Sequence, residues 1–297
     1  MNSPKLHHYV PQFYLRRFVD DSGRLWVWDR DNDRMFPVKP NSVAAENDFY
    51  FSDELAELGE DALTMEKQFS ELEGEVALIT SQWLDWLREV SHGEKIPIPD
   101  VNRELLSRHI ALQFLRTADT RDILAIFGER TEGRELSPEQ RRNLHMYMLW
   151  NSKLVHELEE RIRASTWIFG KNDTPVPFVT SDNPVAFRTG DNSMWWRNGL
   201  WTPGTYVVFP LAPDIVMYCH PAEPPWLAIT GLNECLSPVR FTQEMVESEN
   251  CGQVFMALRF IFSRRADFDA GGSSQKRLAP TSMLRTGTTK NRHEGRL

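Results

Sequence analysis

Between Asp61 and Val90, apolar residues recur at Phe69, Leu72, Val76, Ile79, Trp83, Trp86, Leu87 and Val90. This spacing keeps one side of a 3.6-residue helix apolar over many turns, and such a side must be buried against something. His92-Gly93 closes the helix, with glycine in its usual C-terminal place, and Pro97 and Pro99 form a stiff linker. A second helix is expected from Asp100, a good N-cap, to about Asp119. A third starts at Ser137-Pro138-Glu139-Gln140 and runs to about Ala164. Asn151 interrupts the apolar seam of the third helix (Leu144, Met148, Val155, Leu158, Ile162) and reads as a buried polar group.

The period is 2 on either side of these helices. Arg24 to Asp29 alternates and is rich in β-formers, follows an Asp-Ser-Gly turn, and is answered by a return strand over Met35 to Val38. Asp48 to Ser52 reads as a further short strand. From Thr166, strands are expected at Trp167 to Phe169, Phe178 to Thr180, Tyr206 to Phe209, Ile215 to Cys219 and Val254 to Phe262, with a short helix at Phe241 to Asn250. Pro, Gly and Asp turns separate the strands, as in an antiparallel sheet. Asp191 to Gly204, carrying Trp195, Trp196 and Trp201, reads as an exposed or lid-like loop. The expected class is α+β: an N-terminal β-hairpin element, three long helices and a C-terminal, mostly antiparallel sheet. One domain is expected over 1–265, with a helical part at about 60–165 and a sheet part at about 166–263 that includes the N-terminal segment. Residues 266–297 read as a disordered basic tail.

Composition excludes some functions. The chain of 297 residues is 41% hydrophobic, ample for a core, yet has no run of 18 apolar residues to cross a membrane. Met1 to Leu6 lacks an apolar signal segment, and the three cysteines (Cys219, Cys235, Cys251) are odd in number and scattered. A reducing, cytoplasmic setting is expected. Net charge is −8, while the segment from Arg264 onward holds eight Lys or Arg against three Asp or Glu, so the body is more acidic still. An acidic body disfavours broad electrostatic contact with nucleic acid, though a small basic pocket could still bind it.

The chemistry-bearing residues gather first at Lys5 to Phe18, where His7 and His8 precede Pro11. Pro11 suits the start of a short helix to about Phe18 and keeps the preceding residues extended. Adjacent residues of an extended segment face opposite ways, so one histidine at most faces a given site, and His8 is preferred. On the second helix His109, Gln113 and Arg116 form one stripe, flanked by Leu105 and Leu112 on one side and Leu106 and Ile110 on the other. Such a stripe is either a pocket floor, with Arg116 clamping an anion, or a buried network that fixes helix packing. A buried arginine needs an acid, and Asp182 or Glu66 could supply it. Thr117 and Arg121 stand near the same helix end. Thr180-Ser181-Asp182-Asn183-Pro184 follows a strand, where site residues and Asx turns both occur. Ser181 lacks a Gly-x-Ser-x-Gly elbow, which leaves Asp182 as the stronger candidate.

The opening His-His-Tyr-Val-Pro-Gln-Phe-Tyr-Leu resembles that of a widespread family catalogued as domain of unknown function 4238. The likeness continues at Gln113 to Thr117 (Gln-Phe-Leu-Arg-Thr), Thr180 to Val185 (Thr-Ser-Asp-Asn-Pro-Val) and Phe209 to Pro213 (Phe-Pro-Leu-Ala-Pro). The resemblance marks positions without assigning them roles.

Two classes of function follow. One is a nuclease-like hydrolase acting on a phosphodiester or nucleotide, with His8 as acid/base (His7 its neighbour), Arg116 as anion clamp, and Gln113 and Asp182 orienting them. His109, Thr117, Arg121 and Ser181 would line its substrate side. The other is a non-catalytic domain of a sensor, toxin or antiviral defence protein, in which these groups only hold the core together. No phosphate-binding loop, dinucleotide fingerprint or His-Glu-x-x-His motif is present; a divalent metal on His7, His8, His109 and Asp182 stays open. The expected partners are a small phosphorylated ligand or nucleic acid, and no membrane. Because the tail has no apolar periodicity to bury, deleting residues 267 to 297 is expected to leave the melting temperature nearly unchanged; a fall of many degrees in a thermal melt would show that it packs.

Overall fold

The computed structural model describes residues 6–90, 98–195, 202–232 and 238–267. The chain opens with β1 (Leu6–His8) and α1 (Gln12–Leu15), then one 3-10 turn, Arg16–Phe18. β2 (Leu25–Asp29) and β3 (Arg34–Val38) form the N-terminal hairpin, and β4 (Ala45–Asn47) returns to pair with β1. Asp48 to Ser52 is not a strand, because Asp48 adopts a positive φ of 55° and turns the chain. Five helices of a dozen residues or more then follow α2 (Asp53–Glu57): α3 (Thr64–Glu89), α4 (Asp100–Leu115), α5 (Ala118–Glu132), α6 (Pro138–Leu149) and α7 (Ser152–Arg163).

Two of the three expected long helices are thus broken, each at a side-chain cap. The second ends at Arg116, and Thr117 turns extended; its side chain accepts the Thr120 N–H and starts α5. The third ends near Trp150, and Asn151 accepts the Leu154 N–H to start α7. Asn151 is exposed, so it is a cap and not a buried break in the seam. The start of α6 carries the expected capping box, with Ser137 and Gln140 exchanging backbone bonds.

The remaining strands are β5 (Thr166–Lys171), β6 (Thr180–Ser181), β7 (Ala186–Arg188), β8 (Tyr206–Ala212), β9 (Ile215–His220), β10 (Val239–Arg240) and β11 (Phe260–Ser263), with α8 (Gln243–Met256) before the last. Val254 therefore lies in a helix. The buried spacing Val246, Asn250, Gln253, Val254, Ala257 is helical, and its polar members hide the period. The class is α+β. One sheet runs β10-β5-β9-β8-β7, antiparallel except for the parallel β10–β5 pair. The other runs β3-β2-β11-β6, so the N-terminal hairpin is completed by β11. Trp196 and Trp201 of the lid-like loop lie outside the described residues, as does the tail beyond Asp267. Among the described residues no helix is long and apolar enough to cross a membrane.

β8 and β9 are buried along their whole length. One face of their sheet, with Trp167, Phe169, Phe209, Met217 and Cys219, joins the core formed by α3, α4, α7 and the N-terminal segment. The other, with Tyr206, Val208, Val216 and Tyr218, packs with Val246 and Met256 of α8. Tyr14 pins the N-terminal segment to this architecture. Its ring stacks on Phe209 at 5.2 Å, and its hydroxyl donates to the Pro210 carbonyl at 2.6 Å and contacts the Thr180 hydroxyl at 2.7 Å. Tyr14→Phe keeps the ring but leaves two buried polar groups without this partner. It is expected to cost about 1–3 kcal/mol in denaturant unfolding; an unchanged midpoint would show that the hydroxyl does not hold the segment.

Candidate functional site

β1 faces its two histidines in opposite directions, as extended backbone must. His7 is fully buried, its Nδ1 accepts the Tyr50 N–H at 2.9 Å, and its ring lies parallel to Tyr50 at 6.0 Å. His8 is half-buried. Its Nε2 lies 3.3 Å from the Asn41 carbonyl, and its Nδ1 lies 3.4 Å from the Gln12 amide nitrogen. Burial lowers its pKa, opposed by the Asn41 carbonyl and the Glu73 carboxylate.

The α4 stripe points inward and reaches the same N-terminal segment. Gln113 donates to the Tyr9 carbonyl at 3.0 Å and accepts the Arg116 Nε–H at 2.9 Å. Arg116 is buried; its Nη1 pairs with Glu73 of α3 at 2.7 Å, and its guanidinium lies over Phe69. The acid that balances it is therefore Glu73, and neither Asp182 nor Glu66. His109 sits between the rings of Phe13 and Phe209, where burial, Arg116 and Arg17 hold its pKa well below the usual imidazole value. Thr117 is the α5 cap, and Arg121 pairs with Glu46 at 2.7 Å over the Phe49 ring.

Asp182 has a separate structural setting. Its carboxylate accepts three backbone N–H bonds, from Leu258 (2.8 Å), Arg259 (2.7 Å) and Phe260 (2.8 Å), and so shapes the turn from α8 into β11. Burial raises its carboxyl to about 6 although the three amides pull it down. Ser181 donates to Gln253 at 3.1 Å. Hence His8, Gln113 and Arg116 share one polar region, while Asp182 and Ser181 belong to the α8–β11 junction. Among the described residues no group of three or more His, Cys, Asp or Glu could hold a metal ion.

Two cavities stand out elsewhere. A groove of about 540 Å³ between α3, α4 and α7 is lined by Leu72, Leu105, Leu112, Trp150 and Val155, with Arg108 paired to Glu159 on its edge. The second, about 460 Å³, opens on the outer face of the five-stranded sheet beside α8, lined by Tyr206, Tyr218, His220, Trp226, Phe241 and Glu249. His220 is held between Tyr206 at 4.4 Å and Trp226 at 4.3 Å. Arg188 donates from Nη1 to Glu249 Oε1 at 3.1 Å; its Nε and Nη2 go to the Asn192 carbonyl, and Nη2 also reaches Ser248. Glu249 Oε2 and His220 Nδ1 are buried and have no hydrogen-bond partner. Burial raises the Glu249 carboxyl to about 7, with Arg188 and the Tyr218 hydroxyl opposing, and lowers His220 to about 4.

The family model described as protein of unknown function (DUF4238) matches residues 6–267. The chain belongs to this family. No curated protein and no solved structure matches it. The match takes in all the described residues, so the N-terminal polar region and the aromatic cavity both lie within the family's domain.

The cavity was not among the sequence expectations, although a signal for it exists. In α8 the buried positions include Glu249, Asn250 and Gln253, a polar stripe in an apolar face like that of α4. Ending the helix at Asn250 concealed it. On β9 the outward set Val216, Tyr218, His220 likewise needed a cover that only the fold identifies.

Glu73 generates a test of the polar region. Its removal leaves the Arg116 side chain, 2% exposed, as an uncompensated buried cation. Glu73→Ala is expected to cost about 3–5 kcal/mol in denaturant unfolding. A loss below about 1 kcal/mol would show that Arg116 can reach solvent or another anion.

Proposed function

We propose that this chain is a small-molecule-binding domain of a sensor-type protein, with the aromatic cavity beside α8 as its ligand site. One observation carries the reading. Two polar side chains, Glu249 and His220, are 6% and 7% exposed, and each holds an unpartnered atom at the wall of an open cavity of about 460 Å³. Buried polar groups ordinarily find partners, and an orphan in the wall of a cavity of ligand size is supplied by whatever binds there. The sealed state of His7, His109, Gln113, Arg116 and Asp182 supports the same division, with those residues holding the core together.

A ligand-observed screen of small polar and aromatic fragments tests this. Binders are expected to shift the Trp226 indole resonance and to be lost in Met245→Trp, which fills the cavity mouth from a half-exposed position. Fragments that bind Met245→Trp as well as wild type, or the absence of any binder that shifts Trp226, would refute the reading.

The hydrolase reading retains one supporting observation. Burial and neighbouring Glu73 raise the Glu66 carboxyl to about 7, a range suited to proton transfer, and half-buried His8 also feels Glu73 and Arg116. On that reading a phosphodiester or nucleotide is cleaved there, and Glu66→Gln abolishes hydrolysis of bis-p-nitrophenyl phosphate without lowering the melting temperature. No turnover by wild type would remove it.

A further inference from the structure

We infer, resting on the binding reading above, that the ligand of the α8 cavity is a small organic cation in which an N–H-bearing positive group is joined to a flat apolar ring. The polar groups of the pocket fix the charge of its ligand. Its arginine is engaged: Arg188 directs its donors to Glu249, Asn192 and Ser248, and its guanidinium stacks over Trp195 at 5.0 Å. An anionic ligand therefore finds no open cation among the described residues of this wall. The Glu249 carboxylate is incompletely engaged: Arg188 takes Oε1 and the Tyr218 hydroxyl also acts on the carboxylate, yet Oε2 is buried with no donor inside hydrogen-bond distance. Glu244 adds a second carboxylate to the lining. What the site lacks is a hydrogen-bond donor bearing positive charge, placed at Glu249 Oε2.

The walls choose the rest of the molecule. Tyr206, Tyr218, His220, Trp226 and Phe241 present ring faces and edges, with Tyr218 and Phe241 stacked at 6.1 Å and 17° from parallel. Aromatic faces attract cations and stack on flat rings, and both effects grow where water is excluded. Amidinium, guanidinium and primary ammonium groups attached to a ring meet both demands; a carboxylate or phosphate meets neither.

This assignment makes binding depend on pH in a definite direction. The groups that face Glu249 are Arg188 from β7, Tyr206 from β8, Tyr218 and His220 from β9, and Glu244 on its own helix. Burial holds both phenols protonated and His220 neutral near pH 7. Burial also raises the Glu249 carboxyl to about 7, so it is mostly protonated at pH 6 and mostly ionised at pH 8. Affinity for a permanent cation should therefore rise with pH, by about tenfold between pH 6 and pH 8.

The probes are benzamidine, benzamide and benzoate, which share one ring and carry positive, no and negative charge. Each is titrated into wild type, Glu249→Gln and Met245→Trp by calorimetry, with the Trp226 resonance marking the site and thermal melts checking the fold. Benzamidine should bind wild type at least tenfold more tightly than benzamide, bind about tenfold more tightly at pH 8 than at pH 6, and lose affinity in both variants. Benzamide or benzoate binding as tightly, with Trp226 shifted and binding lost in Met245→Trp, would overturn the cationic class and leave the site standing. No probe shifting Trp226, or binding that survives Met245→Trp, would overturn the site and this inference together.

Discussion

A sheet buried on both faces needs two covers, and the two here are unequal. Every residue of β8 and β9 is buried, so neither face of the five-stranded sheet can be left to water. The inner face receives α3, α4, α7 and the N-terminal segment, which together form the larger core. The outer face receives α8, a helix of 14 residues. Five strands span roughly 20 Å across, about twice the width of one helix. The uncovered part is closed by Trp226 and Phe241, and the aromatic cavity lies where this closure is incomplete.

Partner supply separates structural polar groups from candidate site groups in this fold. Gln113 uses both ends of its amide, and Asp182 gathers three backbone amides, so each is matched by protein atoms. Arg116 retains a buried, unpartnered Nη2, but its guanidinium lies over the Phe69 ring, the Tyr50 hydroxyl donates to its backbone carbonyl, and it lines neither cavity described above. Glu249 and His220 combine an unpartnered buried atom with an open cavity, and that conjunction distinguishes the outer face. Burial also separates their titrations, leaving the imidazole neutral and the carboxyl close to its midpoint near neutral pH.

The sequence by itself determined the elements whose cause is local. The apolar spacing from Phe69 to Leu87 dictates α3, the Ser137–Gln140 box dictates the start of α6, and alternation dictates the β2–β3 hairpin, β5, β8 and β9. Periodicity also placed His109, Gln113 and Arg116 on one inward stripe, because helix geometry alone fixes which side chains share a face. Only the tertiary structure decided what those side chains meet. Glu73 lies 43 residues before Arg116, and the Phe241 N–H donates to the carbonyl of Lys171 at the end of β5 at 2.9 Å, contacts that no spacing rule encodes. The breaks at Thr117 and Asn151 were likewise invisible to periodicity, since both residues are compatible with a continuing helix until packing turns the chain and makes them caps. The cavity beside α8 depends on how much of a sheet one helix can cover. That is a matter of three-dimensional area, and its polar wall comes from residues as far apart as Arg188 and Glu249.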